Sequence, residues 1–454
     1  MADIRPFRAL RYDPAQVSAS QVVTQPYDKI TPAMQERYYS ASPYNLVRIV
    51  LGRPTLDDTS QNNVYSRAAA DFRAWREKGV LRQDPTPSIY AYFERFQSPG
   101  GSGVWERKSF IALGRVEDYA KNVVFRHEQT LAKPKADRLD LLRATRAHFE
   151  LLFMLYEDSG EINSSLEQAA NATPNIDVTD EYGVMHRVWQ ISDANLIKSV
   201  RNQMRDQKLV IADGHHRYET ALNYRNECRG ADSEANSFVG SNNAPYEFVP
   251  MAFVNMNSQH LLILPTHRVV HSLSSFSADS FLESAQAYFD VEEVDAGRNE
   301  IQAKVLEYVA ELNVRFGRKH EEGSPGTELL AVTANRSFFL RTPPQPKPAA
   351  IQALSGLSQR QQALDVVQLH KCLLEGVLKL SEESIRNQQN LSYIRDAGEA
   401  IAQVREGKAN IAFLMNPCRV QQVRDIAFAG EVMPQKSTDF YPKLLSGLTI
   451  YALD

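Results

Sequence analysis

Residues 213–217, with the sequence Asp-Gly-His-His-Arg, gather a carboxylate, two imidazoles and a guanidinium at one point of the chain. The apolar run 209–212 before them is typical of a buried strand, and helix-forming residues from His215 to about residue 226 predict a helix. Gly214 gives the backbone the freedom for a sharp turn between the two. Because the first turn of a helix presents free N–H groups and a positive dipole end, this turn is suited to bind an anion.

Two other interpretations of this turn stay open from the sequence. Asp213 can cap the helix while both histidines are ordinary surface residues. Aspartate beside histidine is also a set of metal-ligand types, although adjacent histidines rarely reach one ion together, so a metal site needs a further ligand. Packing requires none of these polar side chains, and we therefore interpret the turn as functional.

A second dense polar segment covers residues 126–142. His127 and Glu128 precede a helix that we expect to begin after Pro134. The cationic side chains of this segment are Lys133, Lys135 and Arg138. Histidine or glutamate can act as a general base, and the cations can contact phosphate. A solvated charged loop is the alternative, and the sequence does not decide between the two.

Two further segments carry side chains that can contact phosphate. His267 and Arg268 follow an apolar strand, where a surface turn is the alternative. Near the C-terminus, Lys436 lies beside Ser437 and Thr438, a set that can contact phosphate although it lacks the glycines of a P-loop. A solvated loop is the alternative for this segment.

Length and composition narrow the class of protein. A chain of 454 residues exceeds one ordinary core and predicts two or three domains. The net charge of −4 argues against a nucleic-acid binder that works through a global basic field. Three widely spaced cysteines argue against a disulfide framework or a zinc cluster. The sequence has neither a signal core nor a membrane-length apolar stretch, and we expect a cytoplasmic protein without a membrane partner.

The order of elements predicts an α/β fold of mixed α+β character. We expect residues 1–125 to contribute strands to a core formed by residues 126–268, with an α+β domain at 269–454 that closes the site. A turn followed by a strand is predicted at 42–50, and 89–96 with 108–116 is predicted to form a hairpin with one solvated face. The other expected elements are a helix from about residue 31, a helix at 65–78, a strand pair at 246–257 and 261–264, and helices at 277–289, 300–312 and 363–378.

Five segments resemble, in order, those of the bacterial and archaeal family numbered 1015 among domains of unknown function. These segments are Pro26-Tyr27-Asp28 and residues 127–138, 212–221, 265–268 and 433–438. The resemblance extends over nearly the whole chain.

The turn is also similar to the Gly-Cys-His-Arg turn of sulfiredoxin and to the corresponding turn of the ParB fold. In that superfamily the turn receives nucleotide phosphates, and one branch contains a free serine kinase that consumes ADP. The resemblance implies a ParB/sulfiredoxin-like nucleotide-binding core in which Gly214, His215, His216 and Arg217 hold phosphate. His215 stands where sulfiredoxin has its reactive cysteine, so we do not expect sulfinic-acid reduction.

These observations predict phosphoryl transfer or phosphate-ester hydrolysis on a phosphorylated small molecule, with serine or phosphoserine as the specific substrate. ATP or ADP and Mg²⁺ are the expected cofactors. Glu128 or His127 is the predicted general base, Asp213 the magnesium ligand, and His216 the fourth catalytic residue. The predicted phosphate contacts are Lys133, Lys135, Arg138, Gly214, His215, Arg217, His267, Arg268, Lys436, Ser437 and Thr438.

The alternative from another class is a non-catalytic regulator of ParB type that binds a nucleotide or nucleic acid through the same turn. A nuclease is a third candidate, which the near-neutral charge and the lack of an aromatic-basic stripe disfavour. The sequence leaves open whether the chain forms a homo-dimer.

Overall fold

A nine-stranded mixed sheet forms the centre of the N-terminal part of the protein. The computed structural model describes residues 2–98, 103–129, 132–234, 243–294 and 327–454. Eight strands follow one another in the order Val124–Phe125, Leu209–Asp213, Leu152–Tyr156, Phe248–Asn255, Val104–Arg115, Ile89–Gln97, Met185–Ile191 and Ile176–Thr179. Ile4–Arg5 is the ninth strand and pairs with Val104–Arg115. The predicted mixed α/β character is confirmed.

The central strands of this sheet are buried on both faces. Along Leu152–Tyr156, Phe153 and Leu155 pack into one apolar cluster, whereas Leu152 and Met154 pack into another on the opposite face. The same alternation occurs along Ile89–Gln97. A strand that is covered on both sides is apolar at successive positions, which explains the uninterrupted apolar runs. The predicted hairpin is present, but the prediction that one of its faces is solvated is wrong.

The helices around this sheet agree with most of the sequence predictions. Helix Pro32–Ala41 begins where Thr31 Oγ1 accepts a hydrogen bond from the Met34 N–H at 3.2 Å. The predicted strand at 42–50 is wrong, because Val47–Val50 is a short helix. The other helices of this part are Ala19–Val22, Val64–Glu77, Ala132–Thr145, Glu161–Ala169, Ala194–Met204 and His215–Glu234, with 3₁₀ turns at Tyr27–Lys29, Tyr119–Lys121 and Pro245–Glu247.

A second, six-stranded sheet is antiparallel throughout. Its order is Asp290–Glu293, Ser337–Arg341, Glu328–Thr333, Ile411–Leu414, His267–Val270 and Leu391–Ile394. The helices of this part are Ala278–Ala285, Pro348–Ala353, Gln359–Gln362, Asp365–Gln368, Glu382–Arg386, Ala397–Arg405 and Val420–Phe428, with a π-helix at Leu369–Val377. The expected helix at 300–312 lies outside the described residues. The boundary placed after residue 268 falls inside a strand of this sheet, and the three-domain division stays a prediction.

The C-terminal segment runs back from the second sheet and forms two separate two-stranded pairs. Asp439–Tyr441 pairs with Leu262–Leu264, and Tyr451–Ala452 pairs with Ala147–His148. The predicted pairing of 246–257 with 261–264 is therefore wrong. A further small pair joins Leu10–Tyr12 to Leu81–Gln83. Within the described ranges, no helix has both the length and the apolar character needed to cross a membrane.

Candidate functional site

The strand–turn–helix unit predicted at residues 209–226 is present. Strand Leu209–Asp213 leads through Gly214 into helix His215–Glu234. Gly214 has a φ of +96°, and a Cβ at this position would lie 2.9 Å from Leu152 Cδ2. Only glycine meets both conditions without strain. The turn and the first residues of the helix border a cleft of about 1940 Å³.

Asp213 is held between two cations at the edge of this cleft. Its Oδ2 lies 2.7 Å from Arg217 Nη2, and its Oδ1 lies 3.1 Å from Lys443 Nζ. Burial acts to raise the pKa of Asp213, but Lys443 and Arg217 outweigh burial and hold it below its ordinary value. Asp213 is therefore an ionised carboxylate, and each of its two oxygens contacts one cation.

Lys443 also pairs with a second carboxylate at the cleft, that of Asp439. Its Nζ lies 3.0 Å from Asp439 Oδ1, and Asp439 also pairs with Arg395 at 2.6 Å and with Lys29 at 3.9 Å. Burial and the Lys443 charge lower the pKa of Lys29. The sequence did not point to Lys29, Asp439 or Lys443 as site residues, because the contacts of Asp439 with Lys29 and of Lys443 with Asp213 join residues far apart in the chain.

Glu128 and Lys436 meet on another part of the cleft wall. The Lys436 N–H donates to Glu128 Oε1 at 2.9 Å, and Lys436 has a φ of +57°. The Lys436 ammonium makes no hydrogen bond or ion pair within the described part of the chain. Burial raises the pKa of Glu128, although Lys436 opposes this effect. Burial and Lys436 also lower the pKa of His216, which borders the same cleft.

His127 is fully buried behind the cleft wall. Its Nδ1 lies 2.8 Å from the Ile211 carbonyl oxygen, and its Nε2 lies 2.9 Å from Thr438 Oγ1. Burial lowers the pKa of His127 to about 4, so the ring is neutral at pH 7. The His215 ring packs edge-on against it at 4.7 Å between centroids. Buried His215 Nε2 has no hydrogen-bond partner among the described residues.

Other predicted site residues do not border the cleft. Arg138 is buried, donates to the Val50 carbonyl at 2.7 Å and lies 4.2 Å from the Tyr27 ring centroid. Lys135 Nζ pairs with Glu219 at 2.7 Å. The side chain of Lys133 lies outside the described residues.

Arg268, Ser437 and His267 are predicted phosphate contacts whose side chains hydrogen-bond to the backbone. Buried Arg268 donates to the Lys436 carbonyl at 2.9 Å, and Ser437 donates to the Pro434 carbonyl. Neither residue borders the cleft, whereas His267 does. His267 Nδ1 accepts from the Met415 N–H at 3.0 Å. The phosphate contacts expected of these side chains stay predictions.

The expected magnesium role of Asp213 stays a prediction. Arg217 and Lys443 each contact one of its oxygens. Across the described ranges, no group of three or more His, Cys, Asp or Glu side chains is placed to hold a metal ion. Mg²⁺ is usually bound through one or two carboxylates together with waters and substrate phosphates, so its binding at this cleft stays a prediction.

The profile of a family described as "Protein of unknown function (DUF1015)" matches residues 4–367. The chain belongs to the DUF1015 family. This match confirms the family assignment made from the sequence motifs. No curated protein matches the sequence.

Solved structures with distant similarity to this DUF1015 protein include three of interest. A free serine kinase in complex with AMP is 12% identical, with a TM-score of 0.32, over 70% of this chain and 83% of that chain. A conserved hypothetical protein from Pyrococcus furiosus is 10% identical, with a TM-score of 0.31, over 70% and 87%. Truncated SbnI from Staphylococcus aureus is 10% identical, with a TM-score of 0.32, over 74% and 85%. Scores this low carry no function over to this chain, and a ParB/sulfiredoxin-like core stays a prediction.

Proposed function

We propose that the cleft binds a phosphorylated small molecule and transfers or hydrolyses its phosphoryl group. The finer proposal is a reaction between a nucleotide, ATP or ADP, and serine or phosphoserine. One observation carries it: the first turn of helix His215–Glu234, the Lys436 ammonium and the Glu128 carboxyl border the same cleft. A phosphoryl group needs donors for its oxygens and a group that takes up a proton from the attacking hydroxyl or water.

The donors come from the helix and from Lys436. The first N–H groups of a helix have no intrahelical acceptor, and the helix dipole favours an anion at this end. Gly214 brings the backbone close to the cleft because it has no side chain there. The Lys436 ammonium supplies a full positive charge that no carboxylate of the described chain neutralises by direct contact. In this proposal the turn works as the phosphate-binding turn of ParB/sulfiredoxin-like proteins does.

Glu128 is the proton acceptor in this proposal. Its Oε1 is oriented by the Lys436 N–H, and burial raises its pKa toward the range in which a carboxylate is an effective base. The raised pKa of Glu128 contrasts with the lowered pKa of Asp213, whose oxygens are already paired. Asp213 therefore positions Arg217 and Lys443, and Glu128 performs the proton transfer.

Phosphorus NMR of ATP, ADP, serine and phosphoserine mixtures, with and without Mg²⁺, tests this proposal. We expect the wild-type protein to form a new phosphate ester or inorganic phosphate. Glu128→Gln should slow this turnover by about 10²–10⁴-fold while the nucleotide still raises the melting temperature. Glu383→Gln, on the exposed side of helix Glu382–Arg386, is the matched control and should keep full turnover.

A regulator without catalytic activity would give a different pattern. The wild-type protein would bind the nucleotide without turnover. The Glu128→Gln variant would bind the nucleotide as tightly as the wild type does. Absence of both turnover and any nucleotide-dependent change in melting temperature would contradict the proposed function.

A further inference from the structure

A hydroxyl, an imidazole and a backbone carbonyl are aligned at the wall of the cleft. Thr438 borders the cleft, and its Oγ1 lies 2.9 Å from His127 Nε2. The His127 Nδ1 lies 2.8 Å from the Ile211 carbonyl oxygen. This arrangement is distinct from the pairing of Glu128 with Lys436.

The direction of these hydrogen bonds follows from the groups involved. A carbonyl oxygen can only accept, so Nδ1 of His127 carries the ring proton. The ring is neutral at pH 7, and its Nε2 is therefore an acceptor. Hence the Thr438 hydroxyl is the donor, and its proton already points at a base. A hydroxyl paired with an imidazole that a third group orients is the arrangement of an activated nucleophile.

We propose that Thr438 is a nucleophile that takes the phosphoryl group onto its own hydroxyl, forming a phosphothreonine intermediate. This inference rests on the proposed function and adds a covalent step to it. The sequence predicts Thr438 only as a phosphate contact. The fully buried His127 contacts the cleft through Thr438, which gives the imidazole a role that the direct use of Glu128 leaves unexplained.

The phosphoryl transfer to Thr438 needs only a phosphate ester or anhydride as donor and the residues of this site. Thr438 Oγ1 attacks phosphorus, the Oγ1–P bond forms, and the bond from phosphorus to the leaving oxygen breaks. The Thr438 proton moves to His127 Nε2, which then protonates the leaving oxygen. In the second half, an acceptor hydroxyl or water attacks the phosphothreonine and gives its proton to Glu128. The Thr438 oxygen leaves and takes up, directly or through water, the proton that Glu128 received, so Thr438, His127 and Glu128 all return to their starting states.

The surroundings of Thr438 suit the charge that this transfer produces. The His215 ring packs against His127, and the first turn of helix His215–Glu234 borders the same cleft as Thr438. Its N–H groups can hold the phosphoryl oxygens while the Oγ1–P bond forms. Lys436 lies two residues before Thr438 and borders the same cleft.

Mass spectrometry of the full chain after incubation with ATP, ADP or phosphoserine tests this inference. We expect a mass increase of one phosphoryl group, mapped to Thr438 by fragmentation. Thr438→Val keeps the side-chain shape and should abolish both labelling and turnover, whereas Thr438→Ser should restore them. His127→Asn can still donate to Ile211 but lacks the base, and should slow labelling by about 10²-fold or more.

Thr449→Val is the matched control, because Thr449 is a buried threonine of the same C-terminal segment that does not border the cleft. It should label and turn over as the wild type does. Unchanged melting temperatures of the variants would separate loss of chemistry from loss of fold. If Thr438→Val is less stable than the wild type, the position of the label in the wild-type protein still shows whether Thr438 is the nucleophile.

The outcomes separate this inference from the proposed function. Turnover by Thr438→Val at the wild-type rate, or a label on another residue, overturns the covalent step and leaves the proposed function standing. Neither turnover nor labelling in the wild type, with no nucleotide-dependent melting shift, overturns both. Labelling of Thr438 that is lost in His127→Asn supports both.

Discussion

Lys443 Nζ lies 3.1 Å from Asp213 Oδ1, although 230 positions separate the two residues in the sequence. This contact joins the C-terminal segment to the strand–turn–helix unit. Lys443 also pairs with Asp439, so one ammonium neutralises two carboxylates at the cleft. The shape of the cleft therefore depends on a lysine that no local pattern identifies.

Replacement of Lys443 by methionine should destabilise the protein. The side chain of Lys443 is only 8% exposed, so Asp213 and Asp439 would lose a cation in a poorly solvated place. We expect the free energy of unfolding, measured by urea denaturation, to fall by about 1–3 kcal/mol, between the values for exposed and buried pairs. Lys408→Met, at an exposed position, is the control. An equal effect of both variants would show that the Lys443 pairs contribute nothing.

Gly214→Ala should disturb the turn. The positive φ is unfavourable for alanine, and its Cβ would contact Leu152 Cδ2. We expect a loss of about 1–3 kcal/mol in urea denaturation together with weaker nucleotide binding. Gly230→Ala in the same helix is the control, since a Cβ there meets nothing within 4 Å, and it should stabilise by about 0.5–1 kcal/mol. A Gly214→Ala protein of wild-type stability would contradict the strain argument.

Stability should fall as the pH falls from about 6.5 to 4. Burial lowers the pKa values of His127 and His267 from 6.5 to about 4. The unfolded chain therefore binds protons in this range before the folded protein does. Each buried histidine should contribute a slope of about 1.4 kcal/mol per pH unit.

Urea denaturation at several pH values measures this slope. His267→Asn keeps an acceptor for the Met415 N–H and removes one titrating group. The slope of unfolding free energy against pH should therefore be smaller by about 1.4 kcal/mol per pH unit, the contribution of one histidine. Equal slopes in the variant and the wild type would mean that His267 does not stay neutral in the folded protein.

Lys436→Gln should weaken ligand binding without a large change in fold. The Lys436 side chain is exposed to the cleft, and its backbone contacts with Glu128 and Arg268 do not need the ammonium. Loss of one charge-assisted hydrogen bond should raise the Kd for ADP by about 10- to 100-fold in calorimetry. Lys198→Gln, on an exposed helix face, should bind as the wild type does. Identical affinity of both variants would remove Lys436 from the site.

The strand–turn–helix unit could be predicted because its signals are local. An apolar run, a glycine and a helix-forming segment follow one another at residues 209–226. By contrast, the short helix Val47–Val50 lies where the sequence predicts a strand, because Val47, Ile49 and Val50 are all buried and form one apolar run. A short apolar run of this kind has no periodicity that separates helix from strand.

The pairing of segments that are far apart in the chain could not be predicted from the sequence. Leu262–Leu264 pairs with Asp439–Tyr441 and not with the strand just before it, so adjacency misled the prediction. The same return of the C-terminus brings Thr438, Asp439 and Lys443 to the cleft. The dense polar motifs include Glu128, His216 and Lys436, which border the cleft. They also include Arg138, which does not border it and whose guanidinium donates to the Val50 carbonyl.

A crystal structure of the protein soaked with a non-hydrolysable ATP analogue tests the central claim most directly. The account predicts phosphoryl oxygens within hydrogen-bond distance, about 3 Å, of Lys436 Nζ and of an N–H in the first turn of helix His215–Glu234. The terminal phosphorus should face Thr438 and Glu128. A nucleotide bound on another face of the protein, with the cleft at residues 213–217 filled only by solvent, would contradict the account.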